Sequence, residues 1–227
     1  SNMLGRFKCS MLDCIIDTQK ACHDIVAHRK QNFKNLIDYL GENVHELQEI
    51  VFVGSGTSNT SAVTSRIFVE KVTKIKTSVI SSNDFMFNTF VYNPKGLYVF
   101  TSQTGTSIVA LNALNLIKEK GYYNTAISES STTPIAQAAS SFINMDCGKE
   151  EYPMRTTGYC ASVLTHMMMG LEIALLRNTI SNTEYEAYIQ DANKISESHK
   201  KKKKKTLNWL TFNKRKTILK IPAIRPT

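Results

Sequence analysis

Two stretches gather hydroxyl side chains immediately behind apolar runs. "GSGTSNTS", Gly54 to Ser61, follows "EIVFV", and "TSQTGTS", Thr101 to Ser107, follows "GLYVF". A helix that starts in such a turn offers unpaired N–H groups and a partial positive charge. Hydroxyls collected there make an anion site without a formal cation. Phosphate suits it, because its oxygens accept from both backbone N–H and side-chain O–H. Gly105 lets the backbone come close. One Ser or Thr at a helix start is ordinarily an N-cap. Ser102, Thr104, Thr106 and Ser107 together exceed what one cap needs, and this favours a bound ligand.

Other phosphate motifs fit poorly. The chain has no GxxxxGK[ST], so a nucleotide P-loop is absent. Gly54-Ser55-Gly56 opens like GxGxxG, but Asn59 stands at the third glycine position. "VISS" ends the next strand without an acid, although Asp84 follows shortly after. A dinucleotide site is therefore disfavoured.

The elements that must position these turns are legible from periodicity. Ile25, Val26, Phe33, Leu36, Ile37 and Leu40 have helical spacing, so Thr18 to Leu40 reads as one amphipathic helix. "EIVFV" is a strand, followed by a helix from about Asn59 to Val72; "KIKTSVI" is a second strand. "GLYVF" repeats the strand, polar turn and helix pattern, with Gly121 as the stop. "YNTAIS" is a fourth strand, Pro134 to Ala139 a short helix, and "SFINM" a fifth strand. After "DCGKEEYPMRTTG" a long helix runs from about Tyr159 to Arg177, and Ser181 with Glu184 fits a capping box for another. Apolar strands alternating with helices imply an α/β, three-layer αβα sandwich around a five-stranded parallel sheet, of flavodoxin-like kind. A ligand would lie outside the carboxyl ends of its strands.

Composition narrows the partners. The net charge of +9 is concentrated at the end: from Lys200 onward there are eleven Lys or Arg and no acids, while the first 199 residues hold 17 basic and 19 acidic side chains. Nucleic acid is therefore not the expected partner, and the Lys200–Lys205 run reads as a solvated segment. No stretch reads as a membrane span or signal peptide. The five cysteines form no CxxC pair, so they read as reduced thiols of a cytoplasmic protein, with no metal site and no cofactor expected. Ser1 and Asn2 ahead of Met3 read as a tag remnant within an N-terminal segment, 1–17.

"GSGTS", "TSQTGTS" and "TTGYCASVLTHMMMGLEIAL" together resemble the SIS (sugar isomerase) domain, over about Thr18 to Arg177. The likeness is to the first half of two-SIS proteins, such as the isomerase part of glucosamine-6-phosphate synthase and the fructosamine-phosphate deglycases. It implies a SIS domain over 18–199, binding a sugar phosphate, with Ser102, Gln103, Thr104 and Ser107 as phosphate ligands. Ser58 would contact the sugar, with Arg155 and Thr156 from the loop before the closing helix. A Lys common in the family is replaced by Thr157.

The implied reaction is aldose–ketose isomerisation, in which a carboxylate moves a proton between C1 and C2. In the two-domain relatives the catalytic groups lie in the second SIS domain. Residues 200–227, "KTLNW" and "LKIPAI" included, then read as a Lys-rich linker helix and the first strand of that missing domain. The alternatives are a sugar-phosphate sensor and a dimerisation module. A homodimer is the other way to complete a site. The best local catalytic carboxylate is Glu70, against a plainer reading as a surface residue paired with Lys74. Glu150 and Glu151 read as solvated loop charges, and His166 among Met167, Met168 and Met169 as a core histidine.

Overall fold

Five strands form one sheet in the order β2-β1-β3-β4-β5, every neighbouring pair parallel. They are β1 (Glu49–Gly54), β2 (Lys76–Ser81), β3 (Gly96–Thr101), β4 (Tyr123–Ser128) and β5 (Phe142–Asn144). The computed structural model describes residues 11–147 and 156–194. The expected fold class is borne out. β3 is buried at every position, as a central parallel strand covered on both faces must be.

Alternation along the strands sorts side chains into two cores. Ile50, Phe52, Leu97, Val99 and Ile127 face a layer of helices α1 (Met11–Ala27), α2 (Arg29–Leu40), α3 (Thr57–Thr73) and α7 (Thr156–Leu176). Val51, Val53, Tyr98, Phe100 and Ala126 face α4 (Ser82–Phe87), α5 (Ile108–Glu119) and α6 (Pro134–Ala138). The order places β1 between β2 and β3, so successive connections leave in opposite directions there. That reversal opens a crevice at the carboxyl ends of β1 and β3.

Three details differ from the sequence reading. The single helix expected over Thr18–Leu40 is two helices, the first already begun at Met11, separated at His28. There the imidazole Nδ1 lies 2.6 Å from Asp146 Oδ2, and Asn32 donates to the same oxygen at 3.0 Å. The turn lets α2 follow β5 and bury Phe33, Leu36 and Leu40. α4 was not foreseen; Ser81 caps it by accepting from Asp84 N, and donates to Asp84 Oδ2 at 2.7 Å. Asp84 is thus occupied by a helix start. Finally, Thr157–Leu176 has the length and mean hydropathy (1.4) of a membrane-crossing helix, against expectation. Its apolarity has another use here: Met168, Met169 and Ile173 are buried in the core shared with α1 and α3.

The last described helix, α8 (182–194), starts as expected: Ser181 N donates to Glu184 Oε2 at 2.8 Å, and Glu184 N donates to Ser181 Oγ at 3.2 Å. A polar bridge ties it to the body. Tyr185 donates to the buried Glu172 carboxylate, which also accepts from Lys30 at 3.0 Å.

Candidate functional site

The two hydroxyl turns meet in one cleft of ≈ 380 Å³ at the carboxyl ends of β1 and β3. Ser55, Thr57 and Ser58 form one wall; Ser102, Gln103, Thr104 and Ser107 form the other, with Thr101 between them. Among the described lining residues none is ionisable at neutral pH.

Each turn is shaped by its own sequence. α3 starts at Thr57 behind Gly56 with no side-chain cap; Ser58 N donates to Ser55 O at 3.1 Å, which leaves the Thr57 and Asn59 amides for a ligand. At α5, Ser107 Oγ accepts from Ala110 N at 3.4 Å and serves as the cap. Ser107 accounts for the one cap that the helix needs. Thr104 and Thr106 pair with each other at 3.0 Å, exposed at the cleft mouth.

The 102–107 loop is held on both sides before any ligand arrives. Ser102 N donates to Ile127 O at 3.0 Å, Glu129 N to Gln103 O at 2.9 Å, and Ile135 N to Gly105 O at 3.2 Å. Gly105 has φ +64°, and a β-carbon there would lie 2.4 Å from Thr133 Cβ. Glycine is therefore required for both conformation and space. The Thr133 hydroxyl is itself fixed by Ser128 Oγ at 2.7 Å. Pre-set donors of this kind hold an anion without reorganising.

Beneath the cleft sits His166, fully buried, with Nε2 2.8 Å from Thr101 Oγ1 and Nδ1 3.2 Å from Ser65 Oγ. Its ring lies against Phe52 at 4.6 Å between centroids. Burial pushes its pKa down to about 3, so the imidazole is neutral. The core-histidine reading agrees with this placement.

The other predicted residues separate. Ser58, Ser102, Gln103, Thr104 and Ser107 come together at the cleft. Gln103 does so with its side chain only 7% exposed and lodged against Gly158 of α7. Thr156 opens α7, whereas Arg155, Glu150 and Glu151 lie outside the described residues, as does 200–227. Thr157 faces α1, 2.9 Å from Thr18 Oγ1. Glu70 lies in the last turns of α3, at the opposite end of the sheet from the cleft. Its Oε2 accepts from Thr77 N at 2.8 Å, near the start of β2. Its ion-pair partner is Arg66 at 3.7 Å rather than the Lys74 side chain; Lys74 donates its backbone N–H to Glu70 O. Residue types alone gave no sign of Thr101 as the cleft floor or of Gly158 as the space for Gln103.

A second depression, apolar and ≈ 400 Å³, lies between α1, α3, α7 and α8, lined by Cys22, Phe68, Val163, Met167 and Tyr188 among others. Burial, with a smaller contribution from Cys160, pushes the Cys22 thiol up to about 11, so it stays unionised. Among the described residues Cys22, Cys147 and Cys160 form no disulfide, and no metal-ligating cluster is present.

Comparison with known proteins adds a family and several relatives. The SIS domain profile matches residues 45–176, from the turn before β1 to the end of α7. The glutamine–fructose-6-phosphate aminotransferase [isomerizing] of Fusobacterium nucleatum is 26% identical over 175 residues, covering 77% of this chain and 29% of that protein. The chain thus spans less than a third of that relative's length. A provisionally named phosphosugar isomerase of Clostridium difficile 630 superposes with TM-score 0.75 at 24% identity, over 92% of this chain and 58% of that one. The C-terminal domain of glucosamine-fructose-6-phosphate aminotransferase from Francisella tularensis gives 0.74 at 20% identity, over 86% and 56%.

Proposed function

This chain belongs to the SIS domain family, and on that premise we propose that it binds a phosphorylated sugar of the fructose-6-phosphate or glucosamine-6-phosphate type in the cleft between its two hydroxyl turns. The observation that carries the reading is the pre-set, uncharged cradle of Ser102, Thr104 and Ser107 facing the uncapped start of α3. Phosphate would take the hydroxyls and the amides of both helix starts. Gln103 would join the phosphate ligands, Ser58 would meet the sugar end, and the family resemblance adds Arg155 and Thr156 to that end.

Isomerisation needs an acid–base group at the sugar carbons. Among the described residues the cleft holds none, and Glu70 is placed at the far end of the sheet. In this reading the chain supplies binding, and the catalytic groups come from a second SIS domain or a partner subunit. The open apolar groove, with Val63 and Ile67 exposed beside it on α3 at 54% and 69%, supports such a partner. The names of the relatives, both aminotransferases of fructose-6-phosphate, fit the same substrate class. Its described cysteines, none of them in a disulfide, fit a cytoplasmic setting.

Titration calorimetry with fructose-6-phosphate and glucosamine-6-phosphate tests the reading. Ser102→Ala combined with Thr104→Ala should abolish or strongly weaken the binding seen with the parent chain. Unchanged affinity, or no binding by the parent, would overturn it.

A further inference from the structure

The two walls of the cleft leave from different elements, and one buried side chain joins them. Ser58 belongs to the first turn of α3, while the 102–107 loop begins where β3 ends at Thr101. His166, from α7, reaches Ser65 of α3 with Nδ1 and Thr101 of β3 with Nε2, at 3.2 and 2.8 Å. α3, β3 and α7 thus share one imidazole directly under the proposed ligand.

The hydrogen bonds have a single consistent polarity. Ser65 Oγ lies 3.0 Å from Ser61 O and 3.2 Å from Ala62 O, and carbonyls only accept. The Ser65 proton is thus directed at the backbone, and the ring also bonds to the Ser61 backbone, whose carbonyl only accepts; Nδ1, on the α3 side, is then the protonated nitrogen and donates toward Ser65 Oγ. In a neutral ring Nε2 then carries no proton and accepts from Thr101 Oγ1–H. All three groups are buried, so no water competes for these bonds.

We infer that His166 is a positioning residue for the cleft: through Ser65 and Thr101 it fixes the spacing of the two hydroxyl turns and holds the Thr101 hydroxyl in one orientation. The inference rests on the ligand reading of the cleft for its consequence in binding, but its structural part is measurable without ligand. A ring that only filled space beside Phe52 would be replaceable by any side chain of similar volume. A positioning ring is replaceable only by one that both donates and accepts.

The test compares His166→Leu with His166→Gln in the full chain. Both variants lower the melting temperature, since both disturb a filled core. Amide hydrogen exchange at Ser102–Ser107, measured well below each melting temperature, should quicken about tenfold or more in His166→Leu and far less in His166→Gln. Affinity for fructose-6-phosphate should fall in the same order, by roughly tenfold for Leu, as expected when a buried donor and acceptor lose their partner. The ¹⁵N spectrum of the parent ring should show Nδ1 protonated and Nε2 bare. If His166→Leu fails to fold, Thr101→Val breaks the same link from β3, and Thr101→Ser should restore it. Equal loop exchange in the Leu and Gln variants, or a ring protonated on Nε2, overturns the inference. A parent chain that shows the loop effect but binds no sugar phosphate overturns the ligand reading and leaves the role of His166 standing.

Discussion

The side-chain amide of Gln103 occupies the space that a β-carbon on Gly158 would need: such a carbon would lie 2.1 Å from Gln103 Oε1. The start of α7 and the cleft loop are therefore fitted to each other, and the fit depends on a glycine. Gly158→Ala should push the Gln103 amide out of its seat and into the cleft. Because the displaced group is the end of a flexible side chain, the cost in stability should be modest, about 1 kcal/mol. The cost in affinity for fructose-6-phosphate should be larger, roughly tenfold or more. Urea unfolding and calorimetry on the same variant separate the two.

Ser107 and Thr104 face the same cleft but differ in structural duty. Ser107 caps α5, so Ser107→Ala should lose about 0.5–2 kcal/mol of stability as well as affinity. Thr104 is exposed, and among the described residues its side chain bonds only to Thr106. Thr104→Ala should weaken binding while leaving the urea midpoint within about 0.5 kcal/mol of the parent. Equal stability losses in the two variants would contradict this division.

Gly105 and Gly121 both have positive φ, +64° and +73°, yet only Gly105 is crowded. Gly121→Ala should cost about 1 kcal/mol from the left-handed conformation alone. Gly105→Ala adds overlap with Thr133 and should cost about 2–4 kcal/mol. Thermal unfolding of the two variants side by side checks the difference.

His166 also predicts how stability depends on pH. Its folded pKa, held down near 3 by burial, lies below the value of about 6.5 that it takes when unfolded. Between these values the unfolded chain binds a proton that the folded chain refuses, so stability falls as pH drops below 6.5. The slope contributed by this one group approaches but does not exceed about 1.4 kcal/mol per pH unit. Its slope fades above pH 7 and is negligible by about pH 8. Urea midpoints at pH 7, 6 and 5 should show the decline, and His166→Gln should flatten it.

The fold class, the five strands and the two hydroxyl turns were legible in the order of residues alone. Apolar runs of strand length and polar turns at helix starts are local signals, written in neighbouring residues. The resemblance of the two turns also made Ser58, Ser102, Gln103, Thr104 and Ser107 the candidate ligands, and all five line one cleft. Local signals did not reveal the break at His28 or the capped helix behind Ser81. The first depends on Asp146, which is distant in the chain, and the second on six residues too short to show a period. Which residues share the cleft depends on how the chain packs. The strand order puts β1 beside β3, bringing the two turns face to face, while α3 carries Glu70 away to the other end of the sheet. The same packing threads His166 under Thr101 and reserves Gly158 for Gln103. These are contacts between residues more than fifty positions apart, fixed by how the layers close, and no spacing in the sequence encodes them.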